Sequence, residues 1–298
     1  MMGEHTEIAW TDATFNPWWG CQRVSPGCER CYAEAFAKRV GYSGKTDLSG
    51  APDGQPIIWG PETPRRFFGD KHWDEPLKWN AAAAKAGRPM RVFCASMADV
   101  FEDRRDLDVW RARLCDLIHK TASLDWLLLT KRPQNVRKLW PDYALQDNVW
   151  LGATVEDQRR ADERVPELLK VAARVRFLSY EPALGPVDFC LTDKAPGEPM
   201  DARIDWIIVG GESGPRARPF NLAWARETVR QCKAAGVACF VKQLGSAPYI
   251  KDPWYERVDG LPPMPGEAYR IRLRDSKGAD PAEWLEDLRV RQFPEVRA

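Results

Sequence analysis

The sequence has no run of about 18 consecutive apolar residues, so no segment of it is built to span a bilayer as a helix, and no membrane partner is expected. It also lacks an excess of either charge. Its 44 Lys and Arg stand against 43 Asp and Glu, so net charge does not indicate a nucleic-acid partner, although local basic patches stay open. The opening stretch MMGEHTEIAW lacks the basic and then apolar pattern of a secretory signal, which predicts a cytoplasmic protein with reduced thiols. Internal repeats and low-complexity segments are absent as well. What remains is a chain of 298 residues, 44% of them apolar, enough for the core of one large α/β domain or two small ones. Its 14 tryptophans suit core and rim packing, where a buried indole removes much apolar surface from water.

Another absence is local. Cys21, Cys28 and Cys31 fall within eleven residues of the stretch NPWWGCQRVSPGCERC (residues 16–31), and no fourth cysteine is near. The other five, Cys94, Cys115, Cys190, Cys232 and Cys239, are scattered singly, as small buried hydrophobes are. A closed zinc site takes four ligands and a disulfide two, so a cluster of three thiols raises a chemical question.

Short apolar, β-branched runs recur along the chain: Glu7–Trp10, Arg91–Ala95, Asp125–Leu129, Asn148–Gly152, Val175–Leu178, Trp206–Val209 and Ala238–Val241. Continuous runs of this length suit strands buried on both faces, as in a parallel sheet. Helical spacing lies between them. Leu107, Trp110, Leu114 and Leu117 share one helix face, and Leu168, Leu169 and Val171 suit a core-facing helix after Glu156. Asn221 reads as the N-cap of a helix carrying Trp224 and Val229, with Gly236 as its stop. This alternation predicts an α/β fold, a (β/α) barrel or partial barrel, with an open doubly wound sheet as the other arrangement for seven strands.

Two stretches depart from the rhythm. Residues 42–90 read as an insertion after the first strand, with a helix near Trp79–Ala86. Residues 247–298, Pro-rich and charged, read as a C-terminal appendage packed on a barrel domain of residues 1–246.

In barrels and open α/β sheets alike, ligands bind beyond the C-terminal ends of the strands. The residues following the predicted strands include Ser96 and Asp99, Thr130 and Lys131, Thr154 and Glu156, Ser179 and Glu181, Gly210, Gly211 and Glu212, and Lys242 and Gln243. Any one of these could simply cap the next helix. As a set they suggest a polar pocket, with Glu156, Glu181, Glu212 and Lys242 as candidate catalytic groups for substrate positioning or proton transfer. The cysteine loop follows the first predicted strand and so belongs to the same rim. Its spacing is C-x6-C-x2-C, with Pro26-Gly27 turning the chain into the second thiol. Thiolates favour soft metals and iron–sulfur clusters, and three ligands leave a coordination position open for a substrate or cofactor.

On Cys21, Cys28, Cys31 and the following Tyr32, the chain resembles radical S-adenosylmethionine enzymes, with the first gap three residues wider than their usual C-x3-C-x2-C. It resembles more closely the phage- and mobile-element-associated three-Cys-motif proteins, a family without an assigned reaction. That likeness rests on WTDATFNPWWGC, GC-x2-CYAE, Ser96-Met97-Ala98-Asp99, Leu129-Thr130-Lys131-Arg132-Pro133 and Gly210-Gly211-Glu212-Ser213-Gly214, spanning residues 7 to about 245. The resemblance implies a (β/α) partial barrel of the radical-enzyme type, a [4Fe–4S] cluster on the three cysteines, and S-adenosylmethionine on the open iron. It further implies a small-molecule or nucleotide substrate, a nucleic-acid base among them, and leaves room for a partner protein encoded nearby. Radical enzymes often bind the cofactor's amino group with Gly-Gly-Glu after the second strand. Here Gly210-Gly211-Glu212 follows about the sixth, so Ser96 and Asp99 take that place as candidate cofactor contacts. Gly210 and Gly211 are candidates for close approach of a ligand to the backbone.

Two other readings compete. His5-Thr6-Glu7 with Pro26-Gly27-Cys28-Glu29-Arg30-Cys31 is superficially similar to the zinc nucleobase deaminases, but the proline is misplaced and Cys21 is left over. A structural zinc could instead recruit His5 or His72 as fourth ligand and brace an interaction module. The basic pairs Arg65-Arg66, Lys131-Arg132 and Arg216-Ala217-Arg218 are candidate phosphate contacts.

Overall fold

A computed structural model describes residues 6–44, 56–142, 145–191, 203–251 and 269–295. Its main sheet holds seven strands: β1 (Ala13–Thr14), β2 (Met90–Cys94), β3 (Leu124–Thr130), β4 (Val149–Thr154), β5 (Val175–Tyr180), β6 (Trp206–Gly210) and β7 (Ala238–Gln243). They lie in chain order across the sheet. A doubly wound sheet reverses its strand order at a switch point, whereas a (β/α) barrel winds onward in one sense. The sequential order therefore selects the barrel-type arrangement, with β1 and β7 as the end strands of the sheet among the described residues. The fold is a (β/α) partial barrel. Helices α1 (Tyr32–Arg39), α2 (Glu75–Ala86), α3 (Asp108–His119), α4 (Gln158–Leu169) and α5 (Leu222–Ala235) follow or precede the strands. None is long and apolar enough to cross a membrane.

The chain divides into two compact units, Met1–Ala153 with Lys170–Val175, and Thr154–Leu169 with Arg176–Ala298. In the first, β1 pairs with β2, β2 with β3 and β3 with β4, all parallel. Every residue of β4, and all of β3 except the half-buried Leu129, is buried, as the apolar runs predict. Phe15 is fully buried among aromatic rings. Its ring stacks on His72 at 4.7 Å and meets Trp73 and Trp126 edge-on at 5.3 and 5.6 Å. In the second unit Trp206 packs with Phe177, Phe240 and Phe293. Residues of the C-terminal segment hydrogen-bond to β7 there, Val241 N donating to Val290 O (2.8 Å) and Gln292 N to Cys239 O (2.8 Å).

Six predicted strands occur within a few residues of their expected bounds, and the first does not. Glu7–Trp10 forms no strand. The chain turns there, with Thr11 N donating to Ile8 O at 3.2 Å, and pairs only from Ala13 onward. Trp10 is buried against the Phe93 ring, 4.7 Å away, so its apolar character reports packing rather than pairing. The helix in the 42–90 stretch is longer than its spacing suggested, starting at Glu75 with Pro76 in its first turn and stopping at left-handed Gly87 (φ 66°). α5 follows its predicted signals closely: the Asn221 side chain accepts from Ala223 N and Gly236 closes the helix at φ 66°. Of the five scattered cysteines, four are buried and Cys190 is exposed, so it is not a core hydrophobe.

Candidate functional site

The cysteine loop begins where β1 ends. Trp18–Trp19 pairs antiparallel with Arg66–Phe67, and Gly20 then carries the chain across the 58–65 strap. Gly20 has φ +110°, and a Cβ on it would stand 2.3 Å from the Ile58 carbonyl oxygen, so only glycine fits. Gly20 N donates to Met97 O and Gly60 N donates to Cys21 O, both at 3.0 Å, which fixes the Cys21 backbone from two sides. The strap itself is held by Arg65, whose side chain is fully buried. It donates to Glu102 through Nη2 (2.6 Å) and Nε (3.2 Å), and to the carbonyls of Ile58, Gly60 and Thr63.

Pro26–Cys28 forms a short 3-10 turn, and Cys31 stands at the cap of α1. Glu34, in the first turn of α1, accepts from Arg23 (2.6 Å) and Lys38 (2.7 Å), tying the loop to the helix. On the other side Arg132 donates from Nη2 to Gln22 O (2.7 Å), while its Nη1 lies 3.9 Å from Cys21 Sγ. Each part of the loop thus has a cation near its thiols. Arg132 is beside Cys21, Lys131 acts on Cys31, and Arg23 interacts with Cys28 and Cys31. Burial pushes the Cys21 thiol up to about 12 despite Arg132, and raises Cys31 despite the N–H groups of Glu34 and Ala33 and the charge of Lys131.

Both candidate cofactor contacts after β2 lie in the same unit, but their polar atoms are already engaged. Asn16 Nδ2 donates to Ser96 Oγ at 3.1 Å, and the Ser96 carbonyl accepts from the hydroxyl of Tyr32, the residue after Cys31. Asp99 accepts from Thr130 Oγ1 (2.7 Å), Lys131 N (3.0 Å), Phe101 N (3.0 Å) and Arg132 Nη1 (2.8 Å). It therefore acts here as the anchor that aims Arg132 at the cysteine loop. Burial works to raise its pKa, but Arg132, the Thr130 hydroxyl and the two N–H groups outweigh that, and the carboxyl sits below its ordinary range.

A depressed carboxyl pKa adds stability that is present above the unfolded value, about 3.9, and is lost as pH falls through the folded value. Denaturant melts are accordingly expected to show wild-type stability falling below about pH 4. Asp99→Asn should flatten that fall and cost about 3 kcal/mol or more at neutral pH, because it strands Arg132, whose side chain is only 8% exposed. An unchanged neutral stability would contradict the pairing.

The remaining candidates lie in the second unit, and each carboxylate there has a cation of its own. Glu156 is fully buried and accepts from Arg164 Nη1 at 3.1 Å. Glu181 pairs with Lys242 at 3.0 Å. Glu212 is closed by Arg218, which donates from Nε (3.1 Å), Nη2 (2.8 Å) and its backbone N (2.8 Å). The two glycines admit the chain itself: a Cβ on Gly210 would meet Glu181 Oε1 at 2.6 Å, and one on Gly211 would meet Leu244 O at 2.5 Å. The phosphate-contact expectation is corrected for Arg65, Arg132 and Arg218, whose guanidinium groups are taken up by Glu102, Asp99 and Glu212. Of the two histidines offered as a fourth zinc ligand, His72 has its Nε2 on Asn16 O at 2.9 Å, and His5 lies outside the described residues.

Asn16, Arg23, Glu34 and Glu102 were not singled out by sequence. Apart from Lys38, one helical turn from Glu34, their main partners are 11 to 81 residues away; the quoted N-P-W-W-G-C and C-Y-A-E stretches contain Asn16 and Glu34 but give no hint of those partners.

A family model described as "Protein of unknown function (DUF5131)" matches residues 5–278. No curated protein matches the sequence. Among solved structures, the chain is similar to a spore photoproduct lyase mutant with bound AdoMet and dinucleoside spore photoproduct, at 12% identity and a TM-score of 0.41, over 70% of this chain and 60% of that one. Another spore photoproduct lyase mutant, with dinucleoside spore photoproduct, gives 10% identity and a TM-score of 0.41, over 85% of this chain and 71% of that one.

Proposed function

The chain belongs to the family of unknown function whose model it matches over most of its length, and from that premise we propose that it is a radical S-adenosylmethionine enzyme. Cys21, Cys28 and Cys31 would hold a [4Fe–4S] cluster and leave one iron for the cofactor. The observation that carries this reading is a loop of three thiols, without a fourth, directly after the first strand of a (β/α) partial barrel.

The donor set suits a polynuclear cluster. A tetrahedral zinc with bonds of about 2.3 Å draws its sulfurs to about 3.8 Å of one another. Three thiolates leave such a zinc one ligand short, whereas a four-iron cluster on three thiolates keeps one iron open for a cofactor. A cluster held by these residues would, once reduced by a one-electron donor, supply the electron for reductive cleavage of S-adenosylmethionine.

The chain's own residues have other tasks. The thiols must lose their protons on loading, and Arg132, Lys131 and Arg23 offset the negative charge that then gathers on the loop. Asp99 and Glu34 hold two of those cations in place. Asn16 and Tyr32 fix Ser96 beside the loop, and we assign Ser96 to the cofactor's side of the site. Glu156, Glu181, Glu212 and Lys242 would serve a substrate only by exchanging a present partner for it. A small molecule or a nucleotide, including a nucleic-acid base, is the substrate class to try first.

Anaerobic reconstitution of the full chain with iron and sulfide tests this reading. We expect about four irons per chain, and 5′-deoxyadenosine from S-adenosylmethionine on addition of a strong reductant. One tightly held zinc with no iron uptake would overturn it in favour of a structural metal.

A further inference from the structure

Away from the cysteine loop, α3 ends in a second group of metal-ligating side chains. Cys115 and His119 are four residues apart on this helix, which places them on one face, one turn from each other. Asp142, from the segment that leads toward β4, completes the group. The ligand atoms of these three residues all lie within 4.8 Å of one another, and among the described residues no other set of three Cys, His, Asp or Glu does so. Cys115 is buried, whereas His119 and Asp142 are 46% and 44% exposed, so the group opens to solvent on one side.

A fourth side chain points to what the group is for. Gln146 Nε2 lies 3.4 Å from Cys115 Sγ, 2.9 Å from His119 Nε2 and 3.1 Å from Asp142 Oδ2. An amide nitrogen has two hydrogens, so it cannot donate to all three at once. His119 Nε2 is also 3.1 Å from Asp142 Oδ2, and cannot accept from the amide while donating to the carboxylate. Meanwhile Gln146 Oε1 is buried and has no hydrogen-bond partner. Turning the amide over would place that oxygen among a sulfur, an imidazole nitrogen and a carboxylate oxygen. Four Lewis bases facing one point are satisfied together by a cation. The C-terminal end of α3, with its partial negative charge, favours a cation there as well.

We propose that Cys115 Sγ, His119 Nε2 and Asp142 Oδ2 form a mononuclear zinc site, with Gln146 Oε1 or a water as fourth ligand. One thiolate, one imidazole and one carboxylate suit a borderline ion such as zinc, and exclude magnesium and calcium, which take oxygen ligands. Separations under 4.8 Å need only a small contraction to reach the geometry of a tetrahedral ion. The site clamps the last turn of α3 to the segment entering β4. It is independent of the cysteine loop and of the chemistry proposed there.

Cobalt(II) titration of the full chain carrying Cys28→Ala and Cys31→Ala tests the site without the loop pair. The expected result is one equivalent bound with a thiolate-to-cobalt charge-transfer band, lost in Cys115→Ser and weakened by about tenfold or more in His119→Ala. His119 and Asp142 are exposed, so their variants should fold. Zinc is expected to raise the melting temperature of the parent but not that of Asp142→Ala. No band in the parent, or a band unchanged by Cys115→Ser and His119→Ala, would overturn the proposal.

Discussion

Cys31→Ala is expected to leave the chain unable to retain an iron–sulfur cluster after reconstitution, while Cys94→Ala retains it in full. Both positions are thiols, and their surroundings separate them. Cys94 ends β2 at a buried position, where its sulfur serves as core packing, and burial alone raises its pKa. Cys31 stands at the head of α1, where burial raises its thiol too but two helix N–H groups and Lys131 act against that rise. Losing one of three ligands should take the iron content from about four per chain to near zero, since a cubane held by two thiolates has two irons without protein ligands. Iron and sulfide analysis, with the visible absorption of the cluster, reads the outcome. Retention of full iron by Cys31→Ala would show that the ligand assignment is wrong. Retention by neither variant would show that the loss comes from folding, which a thermal melt of each apo chain would reveal.

The largest effect on stability is expected at Arg65. Its guanidinium and the Glu102 carboxylate are 0% and 2% exposed, so the pair lies outside the reach of water. Arg65→Ala removes the cation, leaves Glu102 charged in the interior, and strands the carbonyls of Ile58, Gly60 and Thr63. Breaking such a pair from one side costs about 3–5 kcal/mol. Converting both partners, as Arg65→Met with Glu102→Leu, should recover much of that loss, because the desolvation cost of both charges disappears together. Urea melts of the two single variants and the double variant measure the coupling. Equal and additive losses would mean that the two residues act separately. The effect should also reach the site, since the strap that Arg65 holds carries Gly60, whose N–H bonds the Cys21 carbonyl.

Both predictions concern residues that sequence treats unequally. The cysteine loop is legible as a string, because three thiols within eleven residues form a local pattern and the strand before it sets its place on the rim. Six of the seven strands are legible too, since a strand buried on both faces must be apolar throughout. The first strand is the exception, because Trp10 is buried by the Phe93 ring rather than by a ladder, and hydrophobicity does not distinguish the two kinds of burial.

The rim charges show the other limit. Arg65 reads as part of a surface-like Arg-Arg pair, yet it is among the most buried side chains, with a partner 37 residues away. Asp99 reads as a cofactor contact, yet it is saturated by donors that include an arginine 33 residues on. The Cys115–His119 pair is one turn of helix, but the Asp142 and Gln146 that complete the group arrive only through the chain's return toward β4. Sequence alone determined the alternation of strand and helix, the caps of α5 and the three-thiol loop, because these depend on near neighbours and on burial. Tertiary structure decided which charges are spent on one another and which atoms converge. Such pairs join distant segments, and their geometry has no period along the chain for a sequence to display.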